Sequence, residues 1–182
     1  SIMGDLMDPR AIDLLIKALK DKDKFVCGAA LKGLTKFNEP RIMDAIIEYS
    51  ESCDTSQWPE IVQFLSTKGD KKIVKHLYKI FDKTTDIDLK VNIIAILAEE
   101  SYRESSTVDL LIGTLRDSNN KLKLSAIKAL GDMGDKKAIK HLCDYLTEKD
   151  QDICRTADEA LTKLGYKKTA FTKLKAIFFK KY

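Results

Sequence analysis

The chain has 182 residues, 44% of them apolar and 33% charged, with a formal net charge of +4. That length supports a workable core, and that apolar share excludes a disordered polymer. No apolar run approaches the roughly 18–20 residues that a membrane span needs, and no secretory signal is expected in the sequence as given.

The charged share exceeds the roughly 25% of ordinary globular chains. With only three prolines and eight glycines, it favours helices that each show one apolar stripe and one solvated face. The positive charge is uneven: residues 165–182 hold six lysines and no acid, so the remainder is slightly acidic. Cys27, Cys53, Cys143 and Cys154 form no CxxC pair. They read as small apolar groups of a reduced, cytoplasmic protein rather than as zinc ligands.

In chain order, the sequence reads as helix pairs. Ile2-Met3-Gly4-Asp5 resembles Asp132-Met133-Gly134-Asp135, the end of one unit running into the next. The chain is therefore expected to be a piece of a longer array, or one with an eroded first repeat. Asp8-Pro9 and Glu39-Pro40 offer an acid to cap a first helix and a proline at its first position. Apolar residues then recur at helical spacing, as in Ile12, Leu15 and Leu19, or Ile139, Leu142 and Leu146. A polar turn such as DKDK (21–24) or DSNN (117–120) leads to a second helix. There the apolar positions begin Val26, Ala29, Ala30, Leu31 and Leu34, and small residues at 30, 126 and 157 allow close helix approach. Helices are predicted near 9–20 and 24–36, 40–51 and 58–67, 71–82 and 86–100, 105–116 and 120–131, and 136–147 and 151–164. A last one is predicted near 169–181. Five starts fall in line at Asp8, Glu39, Asp70, Glu104 and Asp135, in steps of 31 except for one of 34.

The most regular stretch, DSNNKLKLSAIKALGDMGDKKAIKHLCDYL at 117–146, resembles the two-helix unit of HEAT-like repeats, in particular the short type named after phycobilisome lyases. The resemblance covers nearly all of 8–164. It departs where an arginine typical of the second helix is replaced by Cys27, Trp58, Lys90, Lys123 and Cys154, and where Ser50 stands for Leu19 in unit two. It implies an all-α, right-handed α-α superhelix (solenoid). About five repeats are expected, near 8–38, 39–69, 70–103, 104–134 and 135–165, in one domain closed by a basic C-terminal capping helix at 168–182.

The two histidines sit in near-identical phrases, GDKKIVKHL (69–77) and GDKKAIKHL (134–142). Their register position holds Leu14, Ala45 and Leu110 elsewhere, so His76 and His141 are read as half-buried packing residues. Neighbouring helices lie roughly 8–10 Å apart, which puts residues two units apart about 20 Å from each other. Zinc ligands sit about 2.0–2.3 Å from the metal, so the pair cannot share one. Each histidine is followed by leucine, whereas the family's iron hydroxylases carry paired His-Glu motifs. No nucleophile elbow, P-loop or dinucleotide fingerprint is present. LGDMGD (130–135) is read as two glycines that join repeats. No catalytic residue, metal or cofactor is expected.

The function implied is a non-catalytic protein-interaction scaffold that uses the concave, second-helix surface of the solenoid. Its candidate contacts are Lys32, Lys90, Lys123, Lys128 and Arg155, with Trp58 at the edge. The tail offers Lys173, Phe179 and Lys180, on an amphipathic segment that caps the stack or docks a partner. The alternative is a nucleic-acid-binding module using that tail. The matched positions Cys27, Trp58, Lys90, Lys123 and Cys154 form no continuous basic stripe of the kind that tracks phosphates. A more distant alternative, resting on the resemblance alone, is a tetrapyrrole lyase.

Overall fold

The computed structural model describes residues 10–67 and 70–167, which form ten α-helices. They run α1 Ala11–Ala18, α2 Lys24–Leu34, α3 Pro40–Ser52, α4 Trp58–Ser66, α5 Ile73–Lys83, α6 Ile87–Ala98, α7 Ser105–Thr114, α8 Asn120–Met133, α9 Ala138–Cys143 and α10 Gln151–Lys163. No strand occurs among the described residues. The last helix predicted from the sequence, with Lys173, Phe179 and Lys180, lies outside them, as does Asp8. The chain divides into two compact units, Ser1–Thr84 and Thr85–Tyr182, at the turn between α5 and α6.

The helix starts follow a rule that the sequence showed only in part. All five second helices are capped by an Asp or Asn carboxylate or amide oxygen, directly or through a short lead-in turn. Asp23 Oδ1 accepts from Phe25 N at 2.8 Å, and Asp86 Oδ1 from Asp88 N and Leu89 N at 2.9 and 3.2 Å. Asn119 accepts from Leu122 N, and Asp150 from Asp152 N and Ile153 N. Asp54 does the same for the 3₁₀ turn Thr55–Gln57 that leads into α4. The first helices are less uniform. Asp70 and Asp135 accept from the backbone of Lys72 and Lys137, each at 2.9 Å. The expectation that Glu39 and Glu104 cap in the same way is corrected, because neither side chain bonds to its helix start. Glutamate's extra methylene carries the carboxylate past the free N–H groups. Glu39 binds Arg41 instead, and Glu104 accepts from the Ser106 hydroxyl. Asp86→Ala is expected to lower stability by about 1 kcal/mol, read from the midpoint of a urea denaturation curve.

In unit 1, α1 packs on α2 and α3, and α4 on α3 and α5. In unit 2, α6, α8 and α10 pack side by side, with α7 against α8 and α9 against α10. The small residues Ala30, Ala126 and Ala157 are buried as their spacing requires. Val26 is an exception to the predicted apolar face, being 39% exposed although its counterparts Leu122 and Ile153 are 1% exposed.

Gly134, at φ +76°, ends α8 in the left-handed region, as a glycine joint should. Gly131 does not join repeats; it lies inside α8 at its closest approach to α10. The predicted helix over 136–147 is also shorter than expected. It tightens into a 3₁₀ turn at Asp144–Thr147, a common helix ending. Here the Tyr145 hydroxyl donates to the Leu115 carbonyl at 2.6 Å.

Charged and polar pairs join matching positions of successive repeats, 28 to 33 residues apart. Unit 1 has Asp13–Arg41 (2.6 Å), Lys20–Glu48 (2.8 Å) and Glu51–Lys79 (2.7 Å) along its first helices. On its second-helix side it has Lys24–Asp54 and Lys32–Glu60. Unit 2 has Asp88–Lys121 and Asp132–Lys163. Apart from the half-buried Asp54, the charged partners are exposed, and screening by water keeps each pair weak. Their common spacing keeps neighbouring repeats in register.

Candidate interaction surface

Lys32 is exposed and paired with Glu60 at 3.2 Å. Lys90 and Lys123 are half-buried at one register on the neighbouring helices α6 and α8, and Lys128 is exposed on α8. Arg155 is exposed on α10 and held by Asp152 at 3.0 Å. Unit 2 therefore gathers Lys90, Lys123, Lys128 and Arg155 onto three adjacent helices. Trp58 is only 6% exposed and packs in the interior of unit 1. Its Nε1 makes no hydrogen bond of ordinary geometry among the described residues, though its N–H favours the thiolate form of the nearby Cys53.

At the positions where HEAT-like units place an arginine, two cysteines take over a local task. Cys27 Sγ donates to the carbonyls of Leu19 and Asp21 at 3.4 and 3.3 Å, and Cys154 Sγ to that of Leu146 at 3.1 Å. Those carbonyls lie at first-helix ends and in the turns beyond, where backbone acceptors lack helical partners. None of the four cysteines is in a disulfide.

Unit 1 contains a cavity of about 440 Å³ between the end of α1, the start of α2 and the end of α3. Tyr49, Gln57, Cys27 and Cys53 line it, and the pairs Lys20–Glu48 and Lys24–Asp54 stand at its wall. Tyr49 donates to Gln57 Oε1. Burial pushes the Cys53 thiol up to about 11 and raises the Tyr49 hydroxyl as well, with Cys27 adding to the latter. Both groups are therefore protonated at neutral pH, and neither offers this cavity a nucleophile or a base.

His76 and His141 are both half-buried on first helices, as their register suggests. Burial, then Lys79, holds the His76 imidazole below its usual value, with Glu51 opposing. Protonation therefore favours the unfolded chain. The stabilising contribution is complete above the unfolded value, about 6.5, and is lost as pH falls through the lower folded value. An NMR titration is expected to place His76 below that reference. His76→Asn should remove part of the stability lost on acidification. Among the described residues, no group of three or more His, Cys, Asp or Glu side chains could hold a metal ion, and no helix is long and apolar enough to cross a membrane.

Comparison with known proteins gives the class. Residues 74–162 match the family described as HEAT repeats, and residues 1–21 match the PBS lyase HEAT-like repeat. With ten helices that alternate at a period near 31 residues, these matches make the chain a HEAT-like repeat protein with an α-solenoid fold. No curated protein matches it. Among solved structures, an engineered protein from the Northeast Structural Genomics Consortium is similar with a TM-score of 0.54 and 17% identity, over 90% of this chain. This chain spans 50% of that protein's length. The complex of CpcE and CpcF of phycocyanin lyase from Nostoc sp. PCC7120 gives a TM-score of 0.44 and 16% identity, over 97% of this chain and 69% of that one. A designed armadillo repeat protein gives 0.48 and 14%, over 89% and 85%.

Proposed function

We propose that this protein is a non-catalytic scaffold that binds another protein across its second-helix surface. The observation that carries the reading is the alignment of α6, α8 and α10, which brings Lys90, Lys123, Lys128 and Arg155 to one run of adjacent helices. Parallel stacked helices of this kind make extended binding surfaces in repeat proteins. Rim charges on such a surface select partners and set association rates. The unpaired cysteines suit a reducing compartment such as the cytoplasm.

The test is affinity capture from native lysate with the wild-type chain and with K90E/K123E/K128E. A partner held stoichiometrically by the wild type and lost from the folded variant supports the reading. Equal capture by both removes it. Salt-sensitive binding to generic DNA or RNA, in place of a protein, would shift the function to nucleic acid.

A further inference from the structure

The phrase GDKKIVKHL opens the third repeat, and its lysines do more than begin a helix. Lys71, Lys75, Lys79 and Lys83 follow one another at four-residue steps through α5 and its leading turn, and all four are exposed. Residues at this spacing lie on one helix face, with Cβ atoms about 5–6 Å apart. The row therefore runs about 18 Å along the helix. Lys72 is exposed beside its start.

The register comparison makes this row unlike any other first helix in the chain. In α3 the second and third positions are Asp44 and Glu48, and in α7 the second and fourth are Asp109 and Asp117. The sister phrase GDKKAIKHL begins with Lys136 and Lys140, then turns acidic at Asp144 and Glu148. A duplicated phrase thus accounts for the first two lysines, but α5 alone continues the series.

Few carboxylates answer it. Asp70 is engaged in capping the helix start through the Lys72 N–H, and Asp82 is the single acid within α5. From α3, Glu51 pairs with Lys79 at 2.7 Å. No carboxylate lies within ion-pair distance of Lys71, Lys75 or Lys83 among the described residues.

We propose that the α5 face docks an acidic α-helix of a partner protein, with carboxylates spaced one turn apart. Such a helix matches the lysine row in both pitch and length. A nucleic acid fits less well, because its phosphates spread sideways toward α3, which adjoins α5 through the Glu51–Lys79 pair and carries the exposed Asp44. This face belongs to the first helices and is separate from the second-helix surface proposed above, so either can fail without the other.

The probe is a fluorescein-labelled, alanine-rich helical peptide with glutamate at every fourth position, titrated into the full chain at low salt and followed by anisotropy. K71E/K75E/K83E is expected to weaken binding at least about tenfold, and K173E/K180E in the tail to weaken it less. Added salt should weaken the native complex. Failure of the native chain to bind the peptide would overturn the proposal. So would a triple variant that binds within about twofold of native, since the anion would then be held elsewhere. Tighter binding of an oligothymidine of equal charge through the same three lysines would also overturn it, in favour of nucleic acid. Circular dichroism verifies folding, and K71Q/K75Q/K83Q takes the place of the reversal variant if that variant unfolds.

Discussion

Tyr102→Ala is expected to destabilise the protein by about 3–5 kcal/mol, the range for emptying a large aromatic site. Tyr102 is fully buried and is the largest side chain of that kind in the described core. It owes its position to the irregular step of 34 residues between the third and fourth repeat starts. From the last core leucine of a second helix to the acid that starts the next repeat, the step is five residues at Leu34, Leu65 and Leu130, but seven at Leu97. The added length forms the 3₁₀ turn Glu100–Tyr102, which packs back on α6. Phe37, also two residues before its acid, is likewise buried. These aromatic residues plug the joints between repeats. Tyr102→Phe keeps the plug and should lose only the hydroxyl's contribution, about 0.5–1.5 kcal/mol. Urea denaturation of both variants checks the difference. Equal loss from both would mean that the hydroxyl, not the ring, carries the site.

The second large effect has a sign that helix propensity gets wrong. Alanine is favoured over glycine inside a helix by about 1 kcal/mol, so Gly131→Ala in α8 would be stabilising on that ground alone. A Cβ at this position, however, would lie 2.8 Å from both Cα and Cβ of Ala160. One of those atoms is backbone, so α8 and α10 must move apart rather than a side chain rotate away. Overpacking of this kind costs about 1–3 kcal/mol. The net result expected is a loss of stability of up to about 2 kcal/mol, larger for Gly131→Val, and measured in the same denaturation series. A more stable Gly131→Ala protein would show that the two helices separate freely.

Helix positions were legible because the apolar period and the repeat spacing agree. The helix expected at 24–36 is Lys24–Leu34, and the one expected at 120–131 is Asn120–Met133. The row of caps at Asp23, Asp54, Asp86, Asn119 and Asp150 could also have been read, since its members recur at the repeat spacing. Acidic residues in polar turns look alike until one of them is seen to bind a helix start. The close approach at Gly131 was not legible, because glycine in LGDMGD serves equally as a joint or as a contact. The buried place of Trp58 depends on tertiary packing that its spacing does not reveal. The cavity beside Tyr49 is set by a gap between three helix ends, which no local pattern encodes. The lysine row was visible in the sequence throughout, and only comparison across all five registers separates it from a repeated joint.

The Glu51–Lys79 pair has a consequence for that row. Lys79 holds the Glu51 carboxyl below its ordinary value, and His76 and Lys83 act on it in the same direction. Glu51 thus answers to two lysines one helical turn apart on α5, Lys79 and Lys83. A visiting carboxylate that draws Lys79 away leaves Glu51 with Lys83 as a substitute counter-ion. Engagement of α5 then proceeds by exchange of partners, and no charge is stranded on the neighbouring helix.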